Sequence, residues 1–479
     1  MWPYNFITAD REQLMLTPPS VADWLPEDHL AWFVLDLVHE LGLSAFRAGY
    51  RPDGRGGAAY DPAMMVTLLV YAYAVGERSS RSIERRCIED VAFRVVAANC
   101  VPDHATIARF RATHEARLGG LFSQVLAVCA RAGVLRPGLV AVDGTKLTAN
   151  ASRDANRTAD QLAADILAEA AATDAAEDER AQVGGEAELP EGLRRRDGRC
   201  QRLRRLLEEL RAEAEEKSYE AHMARRAEIE QATGRPVRGR RPSPQATTRR
   251  SRQQANTTDP DSRLLKTRGG YIQGYNAQAV TTEDQFIIAA QVTNNAHDAP
   301  SFQPLITTAK DNLRHAGERR RVRRVVADAG YWSEDNANLA GVEAFIAPGR
   351  TRDLNRIAEQ DNERSALLQR IEAGEVSKDD AAAELGVTRT MVNQLLRLRR
   401  RGDTATLTTA MMTRLGTPRG RRIYKKRAAS IEPVFGQIKH NRRIDSFVRR
   451  GMVAADSEWK LIAATHNMLK LWRRAMATV

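Results

Sequence analysis

Apolar positions recur at helical spacing through the first quarter of the chain. Trp24-Leu25-Pro26-Glu27-Asp28-His29-Leu30 leads into a helix over Ala31–Leu43, with Gly42 near its stop. Asp61-Pro62 opens a second apolar helix, Ala63–Val75. Shorter runs follow at Ser80–Arg86 and Asp90–Ala98. In Pro102–Arg111, Asp103 stands where it would cap a helix carrying Arg109 and Arg111. Residues 20–137 therefore predict a compact helical bundle with one basic helix exposed, fit either for a DNA groove or for a solvated face.

The texture changes at Leu139. Leu139-Val140-Ala141-Val142 is a short, valine-rich run that reads as a buried strand ending at Asp143-Gly144. Gly270–Val280 and Gln285–Val292, parted by a turn at Thr282–Asp284, predict an antiparallel hairpin. A helix over Phe302–Ala316 precedes a second buried strand, Val322–Ala327, that ends at Asp328. Phe345-Ile346-Ala347 is a last short strand, and 424–475 returns to helix. Two stretches interrupt this order. Residues 155–255 combine a helical piece at Leu203–Glu216 with a basic, proline-containing linker at Arg235–Arg252, and 350–420 is helical again.

The expected fold is an α/β catalytic core with a ribonuclease-H-like mixed sheet and flanking helices, plus an N-terminal helical domain and helical insertions. The expected boundaries are 1–137 for a helical DNA-binding or dimerisation domain, and 138–154, 256–350 and 421–479 for the core. Residues 155–255 form a helical, basic insertion and 351–420 a second helical one.

Composition narrows the partner. The chain has 479 residues and a net charge of +12, which favours a polyanion, most simply nucleic acid. Arginine-rich coding is the bland source of the same excess. No apolar run approaches the ~20 residues that span a bilayer, and Met1-Trp2-Pro3-Tyr4 lacks the features of a signal peptide. The four cysteines form no CxxC pair and read as buried thiols of a reducing cytosol, so the expected location is cytoplasmic, on the nucleoid.

Three acids stand out by context: Asp143 and Asp328 at strand ends, and Glu432 in Ser430-Ile431-Glu432-Pro433-Val434-Phe435-Gly436-Gln437-Ile438-Lys439. Carboxylates suit Mg²⁺ (or Mn²⁺), and two such ions can activate the attacking oxygen and stabilise the leaving oxygen of a phosphodiester. Any one acid alone would be read as a cap or a surface pair.

With their flanks, these acids resemble those of Asp-Asp-Glu transposases of bacterial insertion sequences, in the branch with a Tyr-Arg-Glu-Lys signature. The likeness runs through Asp143-Gly144-Thr145-Lys146, Asp259-Pro260-Asp261-Ser262-Arg263, Gly274-Tyr275-Asn276-Ala277-Gln278, Ala327-Asp328-Ala329-Gly330-Tyr331 and the segment around Glu432. The resemblance implies Asp143, Asp328 and Glu432 as the metal-binding catalytic triad, with Tyr424, Arg427 and Lys439 at the remaining signature positions. Four residues separate Arg427 from Glu432, where the wider pattern has three. The implied reaction is metal-dependent cleavage at the element's ends, followed by attack of the freed 3′-OH on target DNA. The implied partners are double-stranded DNA, both terminal inverted repeats and target, and further copies of the chain in a homodimer or larger assembly.

Other features carry readings of their own. Asp380–Leu396 fits a helix-turn-helix, with Arg389, Thr390 and Asn393 towards a major groove, or an ordinary helical hairpin. Tyr331-Trp332 would stack on an unpaired base or pack in the core. His104, His297 and His440 have no partners at metal-ligand spacing. Ser430 is a ready N-cap that would put Pro433 in a first helical turn. The seven-residue step from Glu432 then returns Lys439 to the same face, roughly 10 Å along, over the DNA strand leaving the site. A silenced, domesticated repressor and a structure-specific nuclease of the same fold are the alternatives to an active transposase.

Overall fold

The computed structural model describes residues 22–51, 57–168, 254–349, 366–385 and 411–477 save Arg268 and Thr413, with parts of 6–20, 201–226 and 389–396. The chain divides into two compact units: residues 1–147, 276–449 and 453–479 form the first, and 148–275 with 450–452 the second.

Within the first unit, α1 (Leu30–His39) and α2 (Pro62–Ala74) pack together. Asp61 caps α2 by accepting from the Ala63 amide at 3.0 Å, and Pro62 supplies a preset φ at the first position. Every residue of α2 but Ala63 is buried, so it forms the axis of the helical part. Around it run α3 (Ser80–Glu89), α4 (Val91–Val96), α5 (His104–Thr113) and α6 (Glu115–Arg131). Asp103 caps α5 through the Thr106 amide, as its position predicts.

The sheet follows. Strands β1 (Leu139–Thr148), β5 (Arg324–Ala327) and β6 (Glu343–Ile346) are parallel in the order β6-β5-β1, and β3 (Gly270–Thr282) continues the sheet beside β1. The fourth strand, β4 (Ile287–Thr293), pairs antiparallel with β3, the hairpin expected from the sequence. Leu139–Val142 and Val325–Ala327 are at most 4% exposed, which explains why they read as continuous apolar runs: parallel strands are covered on both faces. Helix α7 (Phe302–His315) packs on β4 and α6.

Helices α8 (Pro418–Gly436) and α9 (Met452–Met476) close the chain. Trp459 of α9 is fully buried and donates to the Gln278 carbonyl at 2.8 Å. Glu458 forms a buried ion pair with Arg78 at 3.3 Å and also accepts from the Val448 amide. The N-terminal helices and the sheet thus share one compact unit. Cys87 and Cys129 are buried and burial pushes both thiols up to about 12, while Cys100 is half-buried and Cys200 lies outside the described residues. No helix among the described residues is long and apolar enough to cross a membrane.

In the second unit, β2 (Arg263–Thr267) pairs antiparallel with residues 270–274. Asn156–Thr158 and Gln254–Asn256 pair antiparallel with each other. Leu162, Leu203, Leu206, Leu207 and Leu210 form a small apolar cluster with Ala255, so the helical piece at Leu203 is real and amphipathic. The buried Asp259 accepts from the Tyr275 hydroxyl at 2.7 Å and from the Gly451 amide at 3.2 Å, which gives the Asp-Pro-Asp run a local structural task. The basic linker 235–252 lies outside the described residues.

Candidate active site

Register brings the first two acids together. Val142 pairs with Ala327 across parallel strands, so the next residues, Asp143 and Asp328, sit side by side: Asp328 just past the end of β5, and Asp143 midway along β1, which runs on to Thr148 instead of ending there as the sequence predicts. Asp143 Oδ1 accepts from the Gly144 amide at 2.8 Å, and Asp328 Oδ1 from the Gly330 amide at 2.9 Å. Glu432 comes from α8, where its side chain is 57% exposed. Arg427 of the same helix links the sets: Nη1 is 3.0 Å from Asp143 Oδ2 and Nη2 is 3.1 Å from Glu432 Oε1. A five-residue step is about 140° around a helix, and the long arginine side chain spans it. The extra residue of the signature spacing therefore leaves Arg427 in contact with both acids.

Glu432 is delivered in an unexpected way. Ser430 does not cap a helix, and Pro433 is not in a first turn. Thr417 caps α8 through the Gly420 amide at 2.9 Å, Pro418 is its first residue, and Pro433 lies well inside it. Ser430 instead donates back to the Lys426 carbonyl at 2.7 Å. A proline in mid-helix leaves the carbonyl four residues earlier without its amide donor. That carbonyl, of Ala429, accepts from Gln285 Nε2 at 3.0 Å. Gln285 sits at the β3–β4 turn with φ +63°, a left-handed conformation the tight turn requires. A tertiary bond from the hairpin replaces the missing helical one.

Lys439 departs from its expected place for a related reason. Gln437–Asn441 is a π-turn, so the regular α-helical phase from Glu432 does not carry through. Lys439 Nζ donates to Thr145 Oγ1 at 3.0 Å and to the Lys146 carbonyl at 2.9 Å. It is half-buried against β1, just beyond Asp143, and burial lowers its pKa.

The electrostatics report crowding of like charge. Burial, then the neighbouring charge of Asp328, pushes Asp143 up to about 7, against the pull of Arg427. Burial also raises Asp328. A further acid, Asp298, raises both, and sequence reasoning missed it. Its signal was indirect: Asn276 and Gln278, one residue apart on one face of β3, are at most 1% exposed and both donate to Asp298. Two buried amides on an inward face demand a partner.

Other expected residues separate. Arg111 is not on an exposed basic face. It is 5% exposed, donates to the Arg78 carbonyl at 2.8 Å and to Ser80 Oγ at 2.6 Å, and so braces the helices rather than meeting DNA. Arg109, on the same helix, is exposed beside a cavity of about 400 Å³ that Tyr50 and Tyr60 also line. His104 is paired with Glu84 at 2.8 Å. Tyr331 is fully buried against Phe302 and donates to Gln278 Oε1, which excludes it from base stacking, whereas Trp332 is half-buried. Tyr424 is half-buried on α8. The first helix of the suspected helix-turn-helix is present as Lys378–Leu385, and Val392 and Leu396 pack with Ala382 and Leu368. Exposed Arg389 pairs with Asp379 at 2.7 Å, Asn393 is half-buried, and Thr390 lies outside the described residues.

Among the described residues, no three acidic, histidine or cysteine side chains stand close enough to hold a metal ion as they are placed. The donor set nevertheless fits a hard cation. Asp143 and Asp328 are carboxylates raised chiefly by burial, with Asp328 adding to the rise of Asp143, and a guanidinium already sits between Asp143 and Glu432 as a counter-charge. Gly144 lets the Asn276 and Gln278 amides close against β1: a Cβ there would fall 2.4 Å from Gln278 Nε2 and 2.8 Å from Asn276 Oδ1.

Comparison with protein families gives two matches. A family model described as a transposase domain (DUF772) matches residues 19–113, and one described as a transposase DDE domain matches residues 388–472. Both are transposase domains. Together they support a DDE-type transposase, with DNA as the partner that such domains imply. The second match takes in Arg427, Glu432 and Lys439, while Asp143 and Asp328 stand outside both and join the site through strand register. No curated protein and no solved structure matches the chain.

Proposed function

We propose that the protein cuts DNA at the ends of an insertion sequence and joins the freed 3′ ends to target DNA, in the branch marked by Tyr424, Arg427, Glu432 and Lys439. The observation that carries this reading is the convergence of Asp143 on β1, Asp328 at the end of the neighbouring parallel strand and, through Arg427, Glu432. Asp143, Asp328 and Glu432 would hold Mg²⁺ or Mn²⁺. Bound ions would supply an activated attacking oxygen and a stabilised leaving oxygen.

The chain's own groups do the rest. The buried strands beneath Asp143 and Asp328 fix both carboxylates on rigid backbone. Arg427 offsets acid charge and offers donors that suit a phosphate. Lys439, tied to Thr145 and Lys146, sets a positive charge on β1 two to three residues past Asp143. Tyr424, Trp332, Arg109, Arg389 and Asn393 supply candidate contacts to DNA away from the acids.

The test is direct. Purified protein is incubated with Mg²⁺ and DNA bearing the element's ends. Nicks with 3′-OH termini and strand-joined products are expected. Binding without any cut in Mg²⁺ or Mn²⁺ would favour a repressor instead, and cuts without joining would favour a nuclease.

A further inference from the structure

Gly144, Gly330, Asn276 and Gln278 have no place in the triad, yet all four face one carboxylate. Asn276 Nδ2 and Gln278 Nε2 donate to Asp298 Oδ1 at 2.7 and 2.8 Å. A Cβ on Gly144 would lie 3.1 Å from the same oxygen, and one on Gly330 would lie 3.0 Å from Asp298 Oδ2. Both contacts are tighter than ordinary side-chain packing, so the glycines beside Asp143 and Asp328 leave room for this acid.

The ordinary use for an aspartate here would be to cap the turn Ala299–Ser301 ahead of α7. Asp298 stands at that cap position but its side chain makes no capping bond. The carboxylate turns back instead to Asn276 and Gln278 of β3. There its charge adds to the repulsion on both Asp143 and Asp328. Placing a further negative charge beside two crowded carboxylates costs stability in the ligand-free protein, and a bound cation offsets that cost. Two amide donors on one oxygen hold it in position against the repulsion.

We propose that Asp298 is a positioning residue of the metal site: it locks Asn276 and Gln278 against Gly144, beside Asp143, and adds charge that tightens the hold of Asp143 and Asp328 on a divalent cation. This rests on the metal-dependent reading above. Asp298 acts on the ion through the field and through its neighbours, not as one of the three ligands.

The experiment is Mn²⁺ titration of the full chain by calorimetry, without DNA and at fixed ionic strength. Asp298→Asn keeps the shape and removes the charge, and it should bind Mn²⁺ roughly tenfold more weakly, the scale typical of outer partners of metal sites. In EDTA, where the charge is only a cost, its melting temperature should match or exceed that of the wild type. Asp143→Asn is the control. If it loses Mn²⁺ binding while Asp298→Asn keeps wild-type affinity, the role of Asp298 is overturned. If Asp143→Asn itself binds like wild type, the metal-site reading is what fails. Asp298→Ser, which keeps an acceptor for the two amides, carries the same comparison should the asparagine variant not fold. Loss of the fold in both would make Asp298 purely structural and overturn the proposal.

Discussion

Arg427 Nη1 stands 3.0 Å from Asp143 Oδ2, an ion pair between residues 284 apart in sequence, with each side chain 19% exposed. Its other nitrogen holds Glu432. In the ion-free protein this guanidinium is the counter-charge of the acid group. Arg427→Gln should therefore cost about 1–2 kcal/mol of stability in EDTA, discounted for partial exposure. Added Mg²⁺ should raise its melting temperature more than that of the wild type. Equal responses to Mg²⁺ in thermal denaturation would show that Arg427 carries no such load.

Asp143→Asn, Asp328→Asn and Glu432→Gln preserve shape and remove charge. Each should slow strand cleavage by more than ~100-fold, the scale on which single charge-stabilising groups act in active sites. Affinity for end DNA, read by gel shift, should stay within a few-fold. A variant that still cuts at the wild-type rate is not one of the three.

Gln285 predicts an effect at a distance. Gln285→Ala removes the donor to the Ala429 carbonyl that Pro433 leaves unpaired, and because this carbonyl is exposed to water the loss costs about 0.5–1 kcal/mol. Because the bond lies one turn before Glu432, cleavage should fall by roughly tenfold or more although no acid is touched. Unchanged cleavage together with unchanged stability would show that α8 needs no support from the hairpin.

Lys439 is held in place by Thr145 and Lys146. Lys439→Ala should cost about 1–3 kcal/mol through lost charge-assisted bonds. It should also lose most cleavage and joining at moderate salt while Mn²⁺ binding persists. Lys439→Arg should recover little, since a guanidinium fork cannot replace a compact ammonium between two β1 acceptors. Wild-type rates for Lys439→Ala across a salt series would leave only a solvated lysine.

Much of this was legible in the sequence, and the failures have physical causes. Apolar runs ending in Asp143 and Asp328 gave the parallel strands, because buried strands have no polar face to confuse the pattern. The Asp61 and Asp103 caps were readable because capping is local. Pro433 misled because its missing helical bond is replaced by Gln285, far away in sequence. Lys439 misled because a π-turn shifts the phase that a regular helix would keep. Arg111 reads as a surface charge, since nothing in its neighbourhood announces the Arg78 carbonyl and Ser80 that it binds in the interior. Asp298 was missed because its meaning lies in Asn276 and Gln278 on another strand.

His466 sets an acid limit on the fold. It is fully buried, its Nε2 lies 2.9 Å from the Gln285 carbonyl, and burial pushes its pKa down to about 3. In the unfolded chain the value is near 6.5. The unfolded state therefore takes up a proton first as pH falls. The stability from a neutral His466 is complete above ~6.5 and is lost progressively towards 3, amounting to about 2 kcal/mol at pH 5. Urea midpoints at pH 7.5 and 5, compared with His466→Gln, isolate this effect from Glu458, whose raised pKa acts in the opposite direction. Parallel losses in both proteins would remove His466 as the cause.

The pairing of Asn156, Arg157 and Thr158 with Asn256, Ala255 and Gln254 has a consequence for how such a chain can change over generations. Everything between Thr158 and Gln254 leaves and re-enters through one short antiparallel clasp, further fastened by Asn256 Nδ2 on the Ser152 carbonyl at 2.7 Å. With both ends pinned side by side, doubling the length of the excursion costs only ~0.6 kcal/mol of closure entropy. A change of length there is cheap so long as the leucines packed on Ala255 are kept. The clasp and its leucine cluster, not the length of chain between them, hold the two ends of this excursion together.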